Sequence, residues 1–189
     1  MNSGRIKLLL MFGLFASPFV LAWIAYFVWP PTASGNRGEL LNPPTLLGAA
    51  AVADADKQDA WRTHPATGGK WILLQADDAA CGPACETKLH TMRQAHVALG
   101  KYQDRVRRVF LLEPGQQPSA ALKAAAGDWV WLESSAVQKL LPTPAGTSGR
   151  DFIYLVDPLG NLFMRYRKDV EIRDIHKDLM RVLKASQIG

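Results

Sequence analysis

Lys70-Trp71-Ile72-Leu73-Leu74-Gln75-Ala76-Asp77-Asp78-Ala79-Ala80-Cys81-Gly82-Pro83-Ala84-Cys85 runs from an apolar segment into a cysteine pair and on into a helical pattern. Trp71 to Gln75 is short and apolar, as a buried strand requires, and Asp77 to Ala80 carries the chain into the cysteine loop. From Ala84 the spacing changes. Cys85, Leu89, Met92, His96 and Leu99 recur at helical intervals, Lys88, Arg93, Gln94 and Lys101 lie elsewhere around the wheel, and Gly100 closes the pattern. The stretch therefore reads strand, cysteine pair, helix. Cys81 and Cys85 are the only cysteines of the chain. If a helix begins near Pro83, three intervening residues put both thiols on one turn, where they can close a disulfide or grip one soft metal ion.

Working outward, Val106 to Leu112 reads as a second strand ended by Glu113-Pro114-Gly115, and Ser119 to Ala126 as an Ala-rich helix. Trp129 to Leu132 follows as a third strand and Ser134 to Leu141 as a short helix capped by Ser134 or Ser135. After a loop from Pro142 to Arg150 come a strand (Phe152 to Val156), a turn (Asp157-Pro158-Leu159-Gly160-Asn161) and a returning strand (Leu162 to Arg167). Ile172, Ile175, Leu179, Val182 and Leu183 mark the apolar face of a final helix. The order β-α-β-α-β-α-β-β-α describes a three-layer α/β domain. A right-handed crossover after its first strand puts the cysteine pair at that strand's C-terminal end. Arg165, Arg167 and Lys168 alternate with Leu162, Met164 and Tyr166, the pattern of a solvated edge strand. Trp129 and Trp131 read as core on one side and partly covered on the other.

Ahead of this domain, Ile6 to Trp29 is a largely apolar stretch with Lys7 as its only charge, long enough at about 1.5 Å per residue to cross a hydrocarbon core of about 30 Å. It outruns the roughly 7–15 apolar residues of a cleavable signal and ends in the interface-favouring Tyr26, Phe27 and Trp29, so a retained anchor is expected. Pro18 is tolerable in such a span. Arg5 and Lys7 favour a cytoplasmic N-terminus, which exports the rest: a single-pass protein of the inner (plasma) membrane with its C-terminal domain in the periplasm. An organellar equivalent would face the intermembrane space. The expected division is a cytoplasmic tip and anchor over 1–29, a linker and irregular lead-in over 30–69, and the folded domain over 70–189. Within the lead-in, Leu40, Leu41, Leu46 and Leu47 are suited to lying extended against the domain.

The chain has 189 residues, 48% of them hydrophobic, enough for one packed core plus the anchor. Its net charge of +5 is spread out and unaccompanied by an aromatic-basic stripe, which together with export argues against nucleic acid and leaves anionic lipid or an acidic protein partner. Two cysteines so close together close too small a loop to stabilise much, so reactivity is the better reason for the pair. No phosphate loop, zinc motif or hydrolase triad is present.

Strand, C-x-x-x-C loop, helix and a late hairpin before a C-terminal helix resemble the thioredoxin superfamily, and within it the Sco family of membrane-anchored copper proteins. The residues that carry the resemblance are Gly69 to Leu74, Cys81 to Cys85 and Tyr154 to Asn161, with the anchor in support; it spans roughly residues 40 to 185. It implies a thioredoxin-like α/β/α domain whose partner is a cytochrome c oxidase subunit or assembly factor. The protein would help build the oxidase copper centre, delivering copper through Cys81 and Cys85 or keeping an acceptor's thiols reduced. Sco proteins add a distant histidine ligand, whose position here falls at about Gly149, and no histidine occurs from Pro142 to Gly160. Thioredoxin-type oxidoreductases place two residues between the cysteines and a cis-proline before the later strand; here there are three, and Ser148 to Asp151 contains no proline.

The chain's own histidines do not fill the gap. His96 stands about 16 Å along the helix from Cys85, and His90 is turned away from the cysteine's face at about 100° per residue. His176 flanks the apolar stripe of the last helix, and His64 sits in an upstream loop. For all four a structural or solvent-exposed role is the preferred reading. Two thiolates alone still suit Cu(I), and suit redox exchange equally. At a helix start, with the N-terminal sulfur the usual attacker, Cys81 would be the nucleophile and Cys85 the resolving thiol of a thiol-disulfide oxidoreductase. The alternatives are a structural disulfide and a non-catalytic scaffold that binds an assembly partner.

Overall fold

The computed structural model describes residues 3–28, 35–47 and 67–188, and the chain divides into two compact units, Met1–Gly35 and Asn36–Gly189. In the first unit a single helix, α1, runs over Ser3–Val28 with large apolar side chains exposed along most of its length. It is long and apolar enough to cross a membrane. Pro18 has no N–H for the carbonyl of Leu14, and the Ser17 hydroxyl donates to that oxygen instead at 2.9 Å, so the helix continues through the proline. Trp29, one of the expected interface aromatics, and His64 lie outside the described residues.

In the second unit the elements are β1 (Glu39–Leu46), β2 (Trp71–Asp77), α2 (Pro83–Val97), β3 (Val106–Leu112), α3 (Ala120–Ala126), β4 (Val130–Glu133), α4 (Ser135–Leu140), β5 (Phe152–Val156), β6 (Asn161–Arg167) and α5 (Ile172–Ala185). They build one six-stranded sheet in the order β1-β6-β5-β2-β3-β4. β2, β3 and β4 are parallel, while β5, β6 and β1 are joined antiparallel. β2 is central and all seven of its residues are buried, which accounts for a continuous apolar run in place of an alternating one.

The sheet's two faces support separate cores. Leu73, Phe110, Leu155 and Met164 pack with Leu89 and Met92 of α2, Leu122 of α3 and Ile175, Leu179 and Leu183 of α5. Ile72, Leu74, Val109, Leu111, Tyr154 and Val156 pack with Leu47, Val137 of α4 and Leu141. Helices thus lie on both faces, as the expected three-layer α/β domain requires. Local signals fix several ends: Ser119 caps α3 through Leu122 N at 3.1 Å, and Ser134 rather than Ser135 caps α4 through Val137 N at 3.2 Å. In the β5–β6 turn Asp157 Oδ1 accepts from Leu159 N and Asn161 N, and Gly160 takes the φ of 89° that a side chain would resist.

Two expectations are corrected. The lead-in is not irregular throughout, because residues 39–46 form β1, and the compact unit begins at Asn36 rather than at Lys70. β6 is accordingly not an edge. β1 covers it, and Arg165 makes a two-pronged bond to Glu39, Nε to Oε2 at 2.8 Å and Nη2 to Oε1 at 2.6 Å. β1 is itself an edge strand, where Pro43 and Pro44 cost the sheet little; its register shifts between Leu40 and Thr45, around them. Asp178 of α5 ties down the start of this segment: its Oδ2 accepts from the backbone N–H of Arg37 at 2.8 Å and of Gly38 at 2.9 Å, and from the Tyr166 hydroxyl at 3.3 Å. Desolvation, reinforced by that carboxylate, pushes the Tyr166 phenol well above its ordinary pKa.

Candidate dithiol site

Parallel strands β2, β3 and β4 end on the same side of the sheet, and the loop leaving β2 must turn there to start α2. Asp78 organises that turn: its Oδ1 accepts from Ala80 N at 3.0 Å and Cys81 N at 3.1 Å. Cys81 sits in it with φ at 43°, a left-handed conformation uncommon for a residue with a side chain. Gly82 then precedes Pro83, whose fixed φ suits the first position of α2 and whose missing N–H would have had no partner there. Cys85 falls in the first helical turn, and the two cysteines are joined in a disulfide with Cα atoms 5.1 Å apart.

Both sulfur-bearing residues are buried, Cys81 at 5% and Cys85 at 2% exposure, but they face different surroundings. Cys81 lines a cavity of about 430 Å³ together with Glu86, His90, Arg93, Leu122 and Trp129. Cys85 points toward β2, where Gln75 Nε2 donates to its Sγ at 3.4 Å. His90 is therefore remote from Cys85, as its helical angle demands, yet it shares the Cys81 cavity, because Glu86, His90 and Arg93 repeat at i+4 and i+3 along one face of α2.

Lys88, although charged, is completely buried. Its Nζ uses all three N–H bonds: to Asp77 Oδ2 at 2.9 Å, to the Ala76 carbonyl at 3.3 Å and to the Arg150 carbonyl at 2.7 Å. Burial lowers its pKa from the ordinary lysine value, and the Asp77 carboxylate pushes back. The spacing did hold the signal, since Lys88 lies three residues after Cys85 and four before Met92, on the apolar stripe itself.

From the other side the Ser148–Asp151 turn approaches the cysteine loop. Ser148 and Asp151 cap each other, and Lys168 bonds Asp151 Oδ1 at 2.7 Å, which holds the Asp151 carboxyl below its ordinary pKa. Arg150 reaches Asp78 Oδ2 at 2.7 Å and pairs with Glu113, and these contacts raise its pKa. The turn is thus clamped by the Arg150 side chain to the residues that follow β2 and β3, by Lys88 to the end of β2, and by Lys168 to the end of β6.

The donor set limits what the site could hold. Among the described residues no group of three or more His, Cys, Asp or Glu side chains could hold a metal ion. His96 is buried with Nε2 3.1 Å from both the Gln103 and Val106 carbonyls; desolvation and then the nearby Arg108 push its pKa down, so it is a neutral structural donor. His176 is half-buried on α5. Two thiolates, released when the disulfide is reduced, are soft donors sufficient for a two-coordinate Cu(I) cargo, and among the described residues no His, Asp or Glu side chain joins them in a three-ligand group.

Residues 71–186 match the family described as transmembrane-like, thioredoxin-like, C-terminal domain. No curated protein matches the sequence. Among solved structures, apo Sco1 protein from Thermus thermophilus is similar at a TM-score of 0.54 and 18% identity, over 80% of this chain and 99% of that one. Copper-bound ScoI of Arabidopsis thaliana gives 0.49 and 16%, over 62% and 86%. Copper-bound ScoI of Bradyrhizobium japonicum gives 0.44 and 23%, over 60% and 85%. The likeness to the Thermus thermophilus protein is one of fold, a Sco-like arrangement of the thioredoxin sheet.

Proposed function

The chain belongs to the family of transmembrane-like, thioredoxin-like C-terminal domains, and from that premise we propose that it is a membrane-anchored thiol-disulfide accessory factor working through Cys81 and Cys85. The observation that carries the reading is the unequal setting of the two sulfurs. One residue lines a cavity and the other is backed by a buried amide, the division of labour that exchange chemistry uses.

In the oxidising direction a client thiolate attacks Cys81 Sγ, the Cys81–Cys85 bond breaks, and Cys85 leaves as a thiolate that takes up a proton. A second client thiolate then attacks the client sulfur of the mixed disulfide and expels the Cys81 thiolate, which is protonated in turn. The client loses two electrons and two protons, and the cysteine pair gains them. Run backwards, Cys81 is the nucleophile and Cys85 the resolving thiol. The first turn of α2 favours the thiolate forms with its unpaired N–H groups.

Arg5 and Lys7 support an N-terminus in the cytoplasm and a working domain in the periplasm. On the Sco resemblance the client is a cytochrome c oxidase subunit or assembly factor. Replacing both cysteines by serine in the host tests this. Oxidase assembly is expected to fail; full assembly would favour a non-catalytic scaffold that binds the partner by its surface.

A second reading, Cu(I) handling, is supported by two sulfurs within reach of a single ion once reduced. The reduced chain should then keep about one Cu(I) against a competing chelator and lose it on substitution of either cysteine. No retention would remove this reading and leave the exchange chemistry standing.

A further inference from the structure

Gln75 is the polar exception in the centre of the buried strand β2. It is 0% exposed and shares a face of the strand with Leu73. Its Nε2 is 3.4 Å from Cys85 Sγ, and its Oε1 is buried with no hydrogen-bond partner. Native interiors seldom strand a side-chain carbonyl in this way, and an exception calls for a reason.

The sulfur supplies one. A disulfide sulfur carries lone pairs and no hydrogen, so against it the amide can only donate. Reduction changes what the sulfur offers. A thiolate accepts the same N–H more strongly because the bond becomes charge-assisted, and a thiol carries an S–H that a carbonyl oxygen can accept. A carboxamide is the one uncharged side-chain group of this length that serves both forms. Neither gain is available to the closed disulfide.

We infer that Gln75 is a positioning residue for the dithiol chemistry, holding Cys85 by its sulfur and biasing the pair toward the reduced state. This rests on the exchange reading of the cysteine pair. The balance follows from the chemistry above: with a dithiol as reductant, the Cys81–Cys85 bond breaks, a disulfide forms in the reductant, and two electrons and two protons pass to the cysteines. Gln75 exchanges no proton in this step; it weights one side.

The test is an equilibrium titration of the folded full-length chain, in detergent, against mixtures of reduced and oxidised dithiothreitol, with alkylation to count free thiols. Gln75→Met keeps the length and removes both polar atoms. It should shift the equilibrium about tenfold toward the disulfide, about 30 mV more negative for a two-electron couple. Gln75→Glu serves as a second variant, because a carboxylate repels a Cys85 thiolate while its protonated form can donate. Its potential should diverge from that of the wild type increasingly as pH rises.

A purely structural role for Gln75 would alter the thermal stability of oxidised and reduced forms alike and leave the potential in place. Potentials for Gln75→Met within twofold of the wild-type equilibrium overturn the inference while leaving the exchange reading intact. A wild-type pair that does not equilibrate with the reagent while folded overturns both.

Discussion

Lys88→Met removes the one charge that joins α2, the end of β2 and the turn before β5. The side chain keeps its bulk and loses an ammonium that bonds Asp77 Oδ2 at 2.9 Å, the Ala76 carbonyl at 3.3 Å and the Arg150 carbonyl at 2.7 Å. Breaking a buried pair from one side costs about 3–5 kcal/mol, because the partner charge stays behind without compensation. The two carbonyl bonds are part of that cost and are not added to it. Against a domain stability of about 5–15 kcal/mol the loss is large, and with a urea dependence of about 2 kcal/mol per molar the midpoint should fall by about 2 M. Urea unfolding of the full-length oxidised chain in detergent, followed by tryptophan fluorescence, measures it. Pairing Lys88→Met with Asp77→Leu should recover most of the loss, since an apolar pair avoids the desolvation that the ion pair incurs. A single variant within about 1 kcal/mol of wild type, or a double variant no better than the single, would refute the reasoning.

Asp178→Ala leaves Arg37 N, Gly38 N and the Tyr166 hydroxyl without their acceptor, so a loss of about 3 kcal/mol is expected, with faster proteolysis between residues 36 and 47; unchanged cleavage would contradict it. Gly38→Ala should cost about 1–3 kcal/mol by calorimetry, because an added Cβ would lie 2.6 Å from Tyr166 Cε1 and 2.7 Å from Met164 Cγ. His96 has its pKa lowered in the fold by desolvation and by Arg108, so below about pH 6.5 the unfolded chain takes up a proton that the folded chain refuses. Stability should therefore fall as pH drops through that window, by up to about 1.4 kcal/mol per pH unit, and His96→Gln should flatten the profile; parallel profiles would exclude His96 as the cause.

The elements that carry the cysteines were legible because their signals are local. Apolar runs mark β2 from Trp71 to Leu74, β3 from Val109 to Leu112 and β5 along its whole length, α2 opens at a proline, and the β5–β6 turn is spelled out by Asp157 and Gly160. What escaped depends on partners distant in the chain. β1 contains two prolines and no alternation, and only its pairing with β6 makes it a strand. Arg165 reads as solvated from its own alternation for the same reason, because its partner Glu39 is distant in the chain. Gln75 closes the apolar run that starts at Trp71, and only the return of α2 over β2 sets its amide against Cys85. The Arg150 contacts to Asp78 and Glu113 join three loops that no spacing rule connects.

The central claim, that Cys81 and Cys85 form a working couple rather than a fixed staple, is tested most directly by differential alkylation of the folded full-length chain. After mild reduction with dithiothreitol, Cys81, which lines the cavity, should react with iodoacetamide before Cys85, and withdrawal of the reductant should restore the disulfide. A bridge that opens only once denaturant has unfolded the domain would contradict the account.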